Sequence, residues 1–362
     1  MKYHADLSDG KFAYLQLYEQ FKKDITEGLL PFGAKLPSKR LLAEESGLSV
    51  ITVEHAYAIL RDEGYIESRQ RSGFYVIYRE RDFLSAAPAA HRFPEHTRIS
   101  QKSKSSFPFS VISKTMRRVI SDYGENILVK PHNRGCIELR EAISSYLLRS
   151  SSISVSPEQI VIGSGAEYLY GLIVQLLGKD RIFALENPSY EKIGQVYRSN
   201  AVTCDMLDLT YDGIRSDELD RTEATVLHIT PFNSYPSGIT ASVSKRREYL
   251  RWAKARGGYI IEDNYASELT VSKKNDDTVF SMSREGRVIY LNTFSETIAP
   301  AVRVGYMLLP TELLHRFDDM LGFYSCTVPS FDQYVLAELI ENGDFERHIN
   351  RVRRQKRKNL TL

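Results

Sequence analysis

Residues 36–76 read LPSKRLLAEESGLSVITVEHAYAILRDEGYIESRQRSGFYV. Ser38 stands before an apolar-periodic run, where a serine oxygen accepts from the unpaired N–H groups of a first helical turn, so a helix is predicted through Ser46. Gly47 falls just past its end, the position that asks for left-handed backbone. Ser49 caps a second helix. There Val53, Ala56, Tyr57 and Leu60 recur at helical spacing and face inward, while Ser49, Thr52 and His55 face out. Two short helices about a glycine turn, the second showing small polar groups near its start, are the pattern of a helix-turn-helix. Tyr65–Arg69 and Phe74–Tyr78 flank RQRSG, which predicts a hairpin, or wing, with Arg71 at its tip.

Upstream, Leu15, Tyr18, Phe21 and Ile25 predict one amphipathic helix packed on this pair. Downstream, residues 80–107 lose all periodicity and are rich in Ser, Ala, Pro and charge, the composition of a linker. From Pro108 short apolar runs alternate with helical stretches. Ile160–Ile162 leads into Gly163-Ser164-Gly165 and the helix AEYLYGLIVQLL, and RIFALE (181–186) into NPSY and a helix. Strands are predicted at Ala201–Leu207, Ala224–Thr230, Tyr259–Asp263, Arg287–Asn292 and Arg303–Leu308, with a helix over Ser244–Arg256. This alternation predicts a mostly parallel α/β sheet, whose ligands sit at the carboxyl ends of the strands. The organisation expected is residues 1–79 as a winged helix-turn-helix, 80–107 as a linker and 108–362 as an α/β domain.

Composition sets bounds on function. The net charge of +2 does not mark a nucleic-acid binder, and residues 1–79 hold as many acids as bases, so affinity for DNA must come from local placement. Cys136, Cys204 and Cys326 are few, odd in number and far apart, which gives neither a disulfide framework nor a metal site and suits a reducing cytosol. The amino terminus lacks the apolar region of a signal peptide, and no apolar run approaches the roughly 18 residues of a membrane span. A cytoplasmic protein without membrane partner is expected. The basic stretch RHINRVRRQKRK (347–358) is read as the solvated face of a helix in preference to a nucleic-acid tail.

Over about 65 residues the first part resembles the winged helix of the GntR family. The resemblance implies a double-stranded DNA operator as partner. Ser38 and Arg40 then approach phosphates, Ser49, Thr52 and His55 lie on the recognition helix, and Arg71, Ser72 and Gly73 form the wing. Val50 and Glu54 depart from the basic residues common at those positions, and each lost phosphate contact reduces affinity and salt sensitivity.

From 108 onward the chain resembles fold-type I aminotransferases, and the pairing with a GntR reader resembles the MocR-type regulators. The cofactor so implied is pyridoxal 5'-phosphate. By resemblance Asp263 faces its pyridine nitrogen, which it keeps protonated, Tyr265 bonds the ring hydroxyl and Tyr190 stacks on the ring. Gly165, Ala166 and Glu167 open a helix whose N–H groups bind the phosphate, with Thr293, Ser295 and Arg303 as further contacts and Asn233 beside the turn Pro236-Ser237-Gly238. The family's Schiff-base lysine is replaced by Glu296 in Thr293-Phe294-Ser295-Glu296, and a carboxylate forms no imine. Lys273 and Lys274, in SKKNDD, are the nearest lysines in sequence and are expected in an exposed loop. The chain also ends, at Leu362, before the small C-terminal domain that the resemblance implies. No catalytic residue is therefore expected, and the cofactor is expected bound noncovalently or not at all. The resemblance further implies a homodimer and an amino acid or pyridoxal phosphate as effector. Two alternatives stay open: an aminotransferase with a DNA-binding appendage, against which Glu296 weighs, and a decayed regulator that no longer senses a ligand.

Overall fold

The computed structural model describes Tyr3 and residues 12–70, 72–79, 107–265, 267–269, 277–284 and 286–360. The chain divides into two compact units, 1–101 and 102–362.

In the first unit, α1 (Ala13–Thr26), α2 (Lys39–Ser46) and α3 (Val50–Asp62) are followed by the antiparallel hairpin β1 (Ile66–Arg69) and β2 (Gly73–Val76). The Ser38 Oγ accepts from the Leu41 N–H at 3.2 Å and the Ser49 Oγ from the Thr52 N–H at 3.1 Å, so both caps form as their sequence predicts. Gly47 takes the left-handed φ of 70° that ends α2. The inward stripe of α1 is Leu17, Tyr18, Phe21 and Ile25, with Leu15 only partly buried. This corrects the predicted stripe by one position: Leu17, four residues before Phe21, sits one turn above it on the same face. These side chains close a core with Leu42, Val53, Ala56, Tyr57, Leu60, Ile66 and Val76. The segment before α2 also pairs along β2, with Leu36 N–H to the Phe74 carbonyl and Val76 N–H to the Ala34 carbonyl, both at 2.9 Å.

The second unit runs α4 (Phe109–Tyr123), α5 (Ile137–Ser151), β3 (Ile160–Gly163), α6 (Ala166–Leu177), β4 (Phe183–Asn187), α7 (Glu191–Ser199), β5 (Cys204–Thr210), β6 (Gly213–Ile214), α8 (Ser216–Arg221), β7 (Val226–Ile229), α9 (Val243–Ala255), β8 (Tyr259–Asp263), α10 (Val279–Met282), β9 (Val288–Thr293), β10 (Gly305–Leu308), α11 (Thr311–Leu321), α12 (Ser330–Glu341) and α13 (Asp344–Leu360). One eight-stranded sheet has the order β3-β10-β9-β8-β7-β4-β5-β6. Strands β5, β4, β7, β8 and β9 are mutually parallel, and β10 runs against both its neighbours. The central strands β7, β8 and β9 are buried apart from the partly buried Tyr259, as helices on both faces require, and carry polar residues toward their carboxyl ends.

Phe107, placed at the end of the predicted linker, is buried in the core of the second unit beside Val119, Tyr146 and Phe345. The rest of that linker lies outside the described residues. Phe345, His348 and Ile349 bury one side of α13, while Arg353 and Lys356 reach the carbonyls of Glu268 and Leu269 at 2.5 and 3.4 Å. Among the described residues no helix is long and apolar enough to cross a membrane.

Candidate functional site

On the first unit, Ser38 and Arg40 stand at the start of α2, and Ser49, Thr52 and His55 at the start of α3. Ser38, Arg40, Ser49 and His55 are exposed and Thr52 is half-buried. The hydroxyls of Ser49 and Thr52 bond each other at 2.9 Å, and the His55 ring meets the edge of Tyr14 with centroids 5.6 Å apart. Glu54, the acid on this helix, is paired with Lys39 at 2.6 Å, which holds its carboxyl below the usual range. Its charge is thus met within the reader. In the wing, the Ser72 hydroxyl bonds the Tyr75 hydroxyl at 2.7 Å and Gly73 takes φ 110°. Arg71 lies outside the described residues. Sequence reasoning passed over Lys35 and Arg69, which sit over the Tyr75 ring at 5.8 and 4.4 Å, Arg69 being paired with Glu67 at 2.7 Å. It also passed over Ile51, a β-branched side chain exposed in the first turn of α3.

In the second unit the carboxyl ends of β3, β4, β7, β8 and β9 converge, and the reversed direction of β10 brings its beginning to the same edge. Gly305 pairs with Gly163 on one side and Thr293 on the other, which sets Arg303 opposite both loops. A cavity of about 440 Å3 opens there, lined by Ala166, Glu167, Tyr190, Asp263, Tyr265, Thr293, Ser295, Glu296 and Arg303 from the sequence reading. Gly165 does not line it but abuts it: a Cβ there would come within 2.9 Å of the Arg303 guanidinium. Asn233 is a partial correction. Its side chain is exposed and does not line the cavity, and its part is the backbone carbonyl that accepts from the Tyr265 hydroxyl at 3.3 Å. Asn233 and Arg303 both hold left-handed backbone, φ 54° and 49°, a strained choice for arginine that marks a position fixed by its surroundings.

The floor of the site is a buried polar network that the sequence reading missed. The Tyr170 hydroxyl donates to one oxygen of Asp263, and the Tyr265 N–H donates to the other at 3.1 Å. Burial and the adjacent Asp263 carboxylate push the Tyr170 phenol well up, so it stays a donor. His228 bonds the Tyr197 hydroxyl through Nδ1 at 2.7 Å, and its Nε2 stands 3.7 Å from Asp263 with no hydrogen-bond partner among the described residues. A polar His228 within the apolar strand ATVLHIT was the signal available. The rim is electrostatic. Glu167, in the first turn of α6, binds Lys192 at 3.0 Å and Arg303 at 2.6 Å, and Lys192 with Arg303 holds its carboxyl below the usual range. The Tyr265 phenol is raised, first by burial and then by Asp263 and Glu296.

A pyridoxal phosphate group fits this arrangement in its ring and phosphate parts. Asp263 lines the cavity with one hydrogen bond to each carboxylate oxygen, Tyr190 supplies an aromatic side chain, and the side-chain-free Gly165 lets the Arg303 guanidinium come close to the start of α6. Among the described residues no lysine lines the cavity, so those residues do not fit its covalent attachment.

The sequence pattern of "Aminotransferase class I and II" matches residues 102–361, and that of "Bacterial regulatory proteins, gntR family" matches residues 13–76. The chain is 33% identical to the uncharacterized HTH-type transcriptional regulator YdeL of Bacillus subtilis (strain 168), over 96% of this chain and 78% of that protein. It belongs to the MocR-type regulators of the GntR family. Its similarity to the probable rhizopine catabolism regulatory protein MocR of Rhizobium meliloti is 26% identity over 94% of this chain and 74% of that protein. Among solved structures, Pyrococcus horikoshii kynurenine aminotransferase in complex with PMP is 25% identical with a TM-score of 0.63, covering 69% of this chain and 64% of that one. The regulator thus spans less than two thirds of the length of that aminotransferase. The sequence expectations of a winged helix-turn-helix and of an aminotransferase-like α/β domain both hold.

Proposed function

We infer that this regulator acts in the cytoplasm as a homodimer that grips a double-stranded DNA operator through residues 1–79, while its aminotransferase-like domain pairs the chains and senses an amino acid or a pyridoxyl compound. Arg40 and the wing would take phosphates, and Thr52 and His55 base edges, which divides positioning from sequence choice. The aminotransferase-like cavity is read as a binding site without catalysis. Asp263 would hold the pyridine nitrogen, Tyr190 the ring face, and the N-terminal N–H groups of α6 with Thr293, Ser295 and Arg303 the phosphate. Such a cofactor supplies an electron-withdrawing ring when bound, and this chain's residues bind and orient it without attaching it.

The single observation that carries the non-enzymatic reading is Glu296 in the cavity lining, at the position that the resemblance assigns to the family's lysine. The test mixes the full chain with pyridoxal phosphate and an amino acid, follows the absorbance spectrum, and measures binding to duplex DNA at low salt on the same preparation. DNA binding with no aldimine band supports the reading. A lysine-type aldimine that turns over would return the chain to the aminotransferases, and indifference to all duplex DNA would remove the regulator.

A further inference from the structure

The charges in the second-unit cavity do not match those of an aldehyde-binding site. Three carboxylates, Glu167, Asp263 and Glu296, line it against one guanidinium, Arg303. Two of the three are already answered. Glu167 is held between Arg303 and Lys192, and Asp263 accepts from the Tyr170 hydroxyl and the Tyr265 N–H. Glu296 makes no hydrogen bond or ion pair to a described residue, yet it lines the same cavity as Tyr265 and Asp263 and acts electrostatically on the Tyr265 phenol. Of the three carboxylates, Glu296 is therefore the one left without a partner among the described residues. An aldehyde oxygen carries partial negative charge and meets a carboxylate unfavourably. A protonated aminomethyl group carries a full positive charge and donates up to three hydrogen bonds to it.

We propose that this cavity selects the amine form of the pyridoxyl group, a protonated pyridine ring bearing an aminomethyl cation, with Glu296 as the residue that specifies it. Asp263 takes the ring nitrogen, Tyr190 and Tyr170 wall the ring, and the Glu296 carboxylate receives the ammonium. The amine and its 5'-phosphate share this chemistry. They differ at the Glu167–Arg303 pair, which a phosphate must open and an unphosphorylated amine leaves closed. The inference rests on the reading of the cavity as a pyridoxyl site.

Isothermal titration calorimetry of the full chain at pH 7 with pyridoxamine, pyridoxamine 5'-phosphate, pyridoxal and pyridoxal 5'-phosphate tests it. Each amine is expected to bind at least about tenfold more tightly than its own aldehyde, about 1.4 kcal/mol. In Glu296→Gln, an exposed and nearly isosteric change, that preference is expected to fall to near parity, mainly by weaker amine binding. Equal or tighter binding of the aldehydes, or a preference that survives Glu296→Gln, overturns the selection by amine while leaving the pyridoxyl site standing. Failure of all four compounds to bind overturns the pyridoxyl reading and this inference with it. The ratio of phosphorylated to unphosphorylated amine then reports whether the ligand opens the Glu167–Arg303 pair.

Discussion

Glu296 is exposed, three residues past the end of β9, and touches the cavity that Asp263 closes from below. On the proposed reading, converting it to lysine puts an amine where the resemblance places the Schiff-base lysine. Glu296→Lys is expected to turn yellow with pyridoxal phosphate and to yield a borohydride-reducible adduct at position 296, while the unchanged protein does neither. A colourless Glu296→Lys chain would count against an intact ring site. Deeper in the sheet, Glu186 is buried at the end of β4 and accepts from the Ser234 hydroxyl at 2.6 Å. Burial raises its carboxyl from 4.5 to about 7. A carboxyl whose folded value lies above its unfolded one stabilises the native state where both are protonated, and that advantage is lost as pH rises from about 4.5 to about 7. The loss is on the order of 3 kcal/mol, at about 1.4 kcal/mol per unit. Glu186→Gln keeps an acceptor for Ser234 and has no charge to bury. Its melting temperature should exceed that of the parent at pH 8 and approach it near pH 4.5. A gain equal at both pH values would show that the carboxyl titrates normally. Glu296 drew attention in the sequence because it interrupts an ordered motif, whereas the burial of Glu186 was not legible, since it depends on how β4 and the loop after β7 close over it.

The helices of the reader were legible almost to the residue. Their signals are local: a serine cap, a left-handed glycine and apolar side chains three and four apart. The one error on α1, Leu15 for Leu17, arose because both are leucines near the helix start and only packing on α3 separates them. The sheet was legible as alternation and as strand ends carrying polar residues, and its β8 limits, Tyr259–Asp263, were read as they stand. The reversed β10 and the Tyr170–Asp263–His228 network were not, because each joins segments far apart in sequence that no local pattern links. Within the reader, α2 and α3 divide their labour. Arg40→Ala should weaken binding to all duplexes alike and lower the salt slope by about one, while Thr52→Ala should relax sequence choice, at about 1–3 kcal/mol for a lost base contact. Fluorescence anisotropy with specific and random duplexes across a salt series separates the two. A Thr52→Ala chain with unchanged discrimination would move base readout elsewhere on α3, to Ile51 or His55. Removing the second cap, Ser49→Ala, should cost about 1 kcal/mol of stability and show as earlier melting.

At the scale of the whole molecule, two readers are useful only if something holds them as a pair. Helix α4 leaves Phe109, Met116 and Ile120 exposed at spacings of seven and four, one side of a helix, and Leu128 and Val129 just beyond it are also bare. We propose this apolar stripe as a contact surface, with a second copy of the same face as the partner that a two-fold dimer would bring. Sedimentation should give a dimer at micromolar concentration, and Ile120→Glu with Leu128→Glu should give monomers that retain weak binding to a single half-site. Paired readers on a two-fold axis contact half-sites about one helical turn, or a multiple of it, apart. The most direct test of the regulator is therefore a footprint of the full chain on duplexes selected from a random pool, with the bound stoichiometry measured on the same sample. Two protected half-sites at a regular spacing, holding two chains, is the predicted result. A footprint without sequence preference, or one half-site saturated by a single chain, would contradict it.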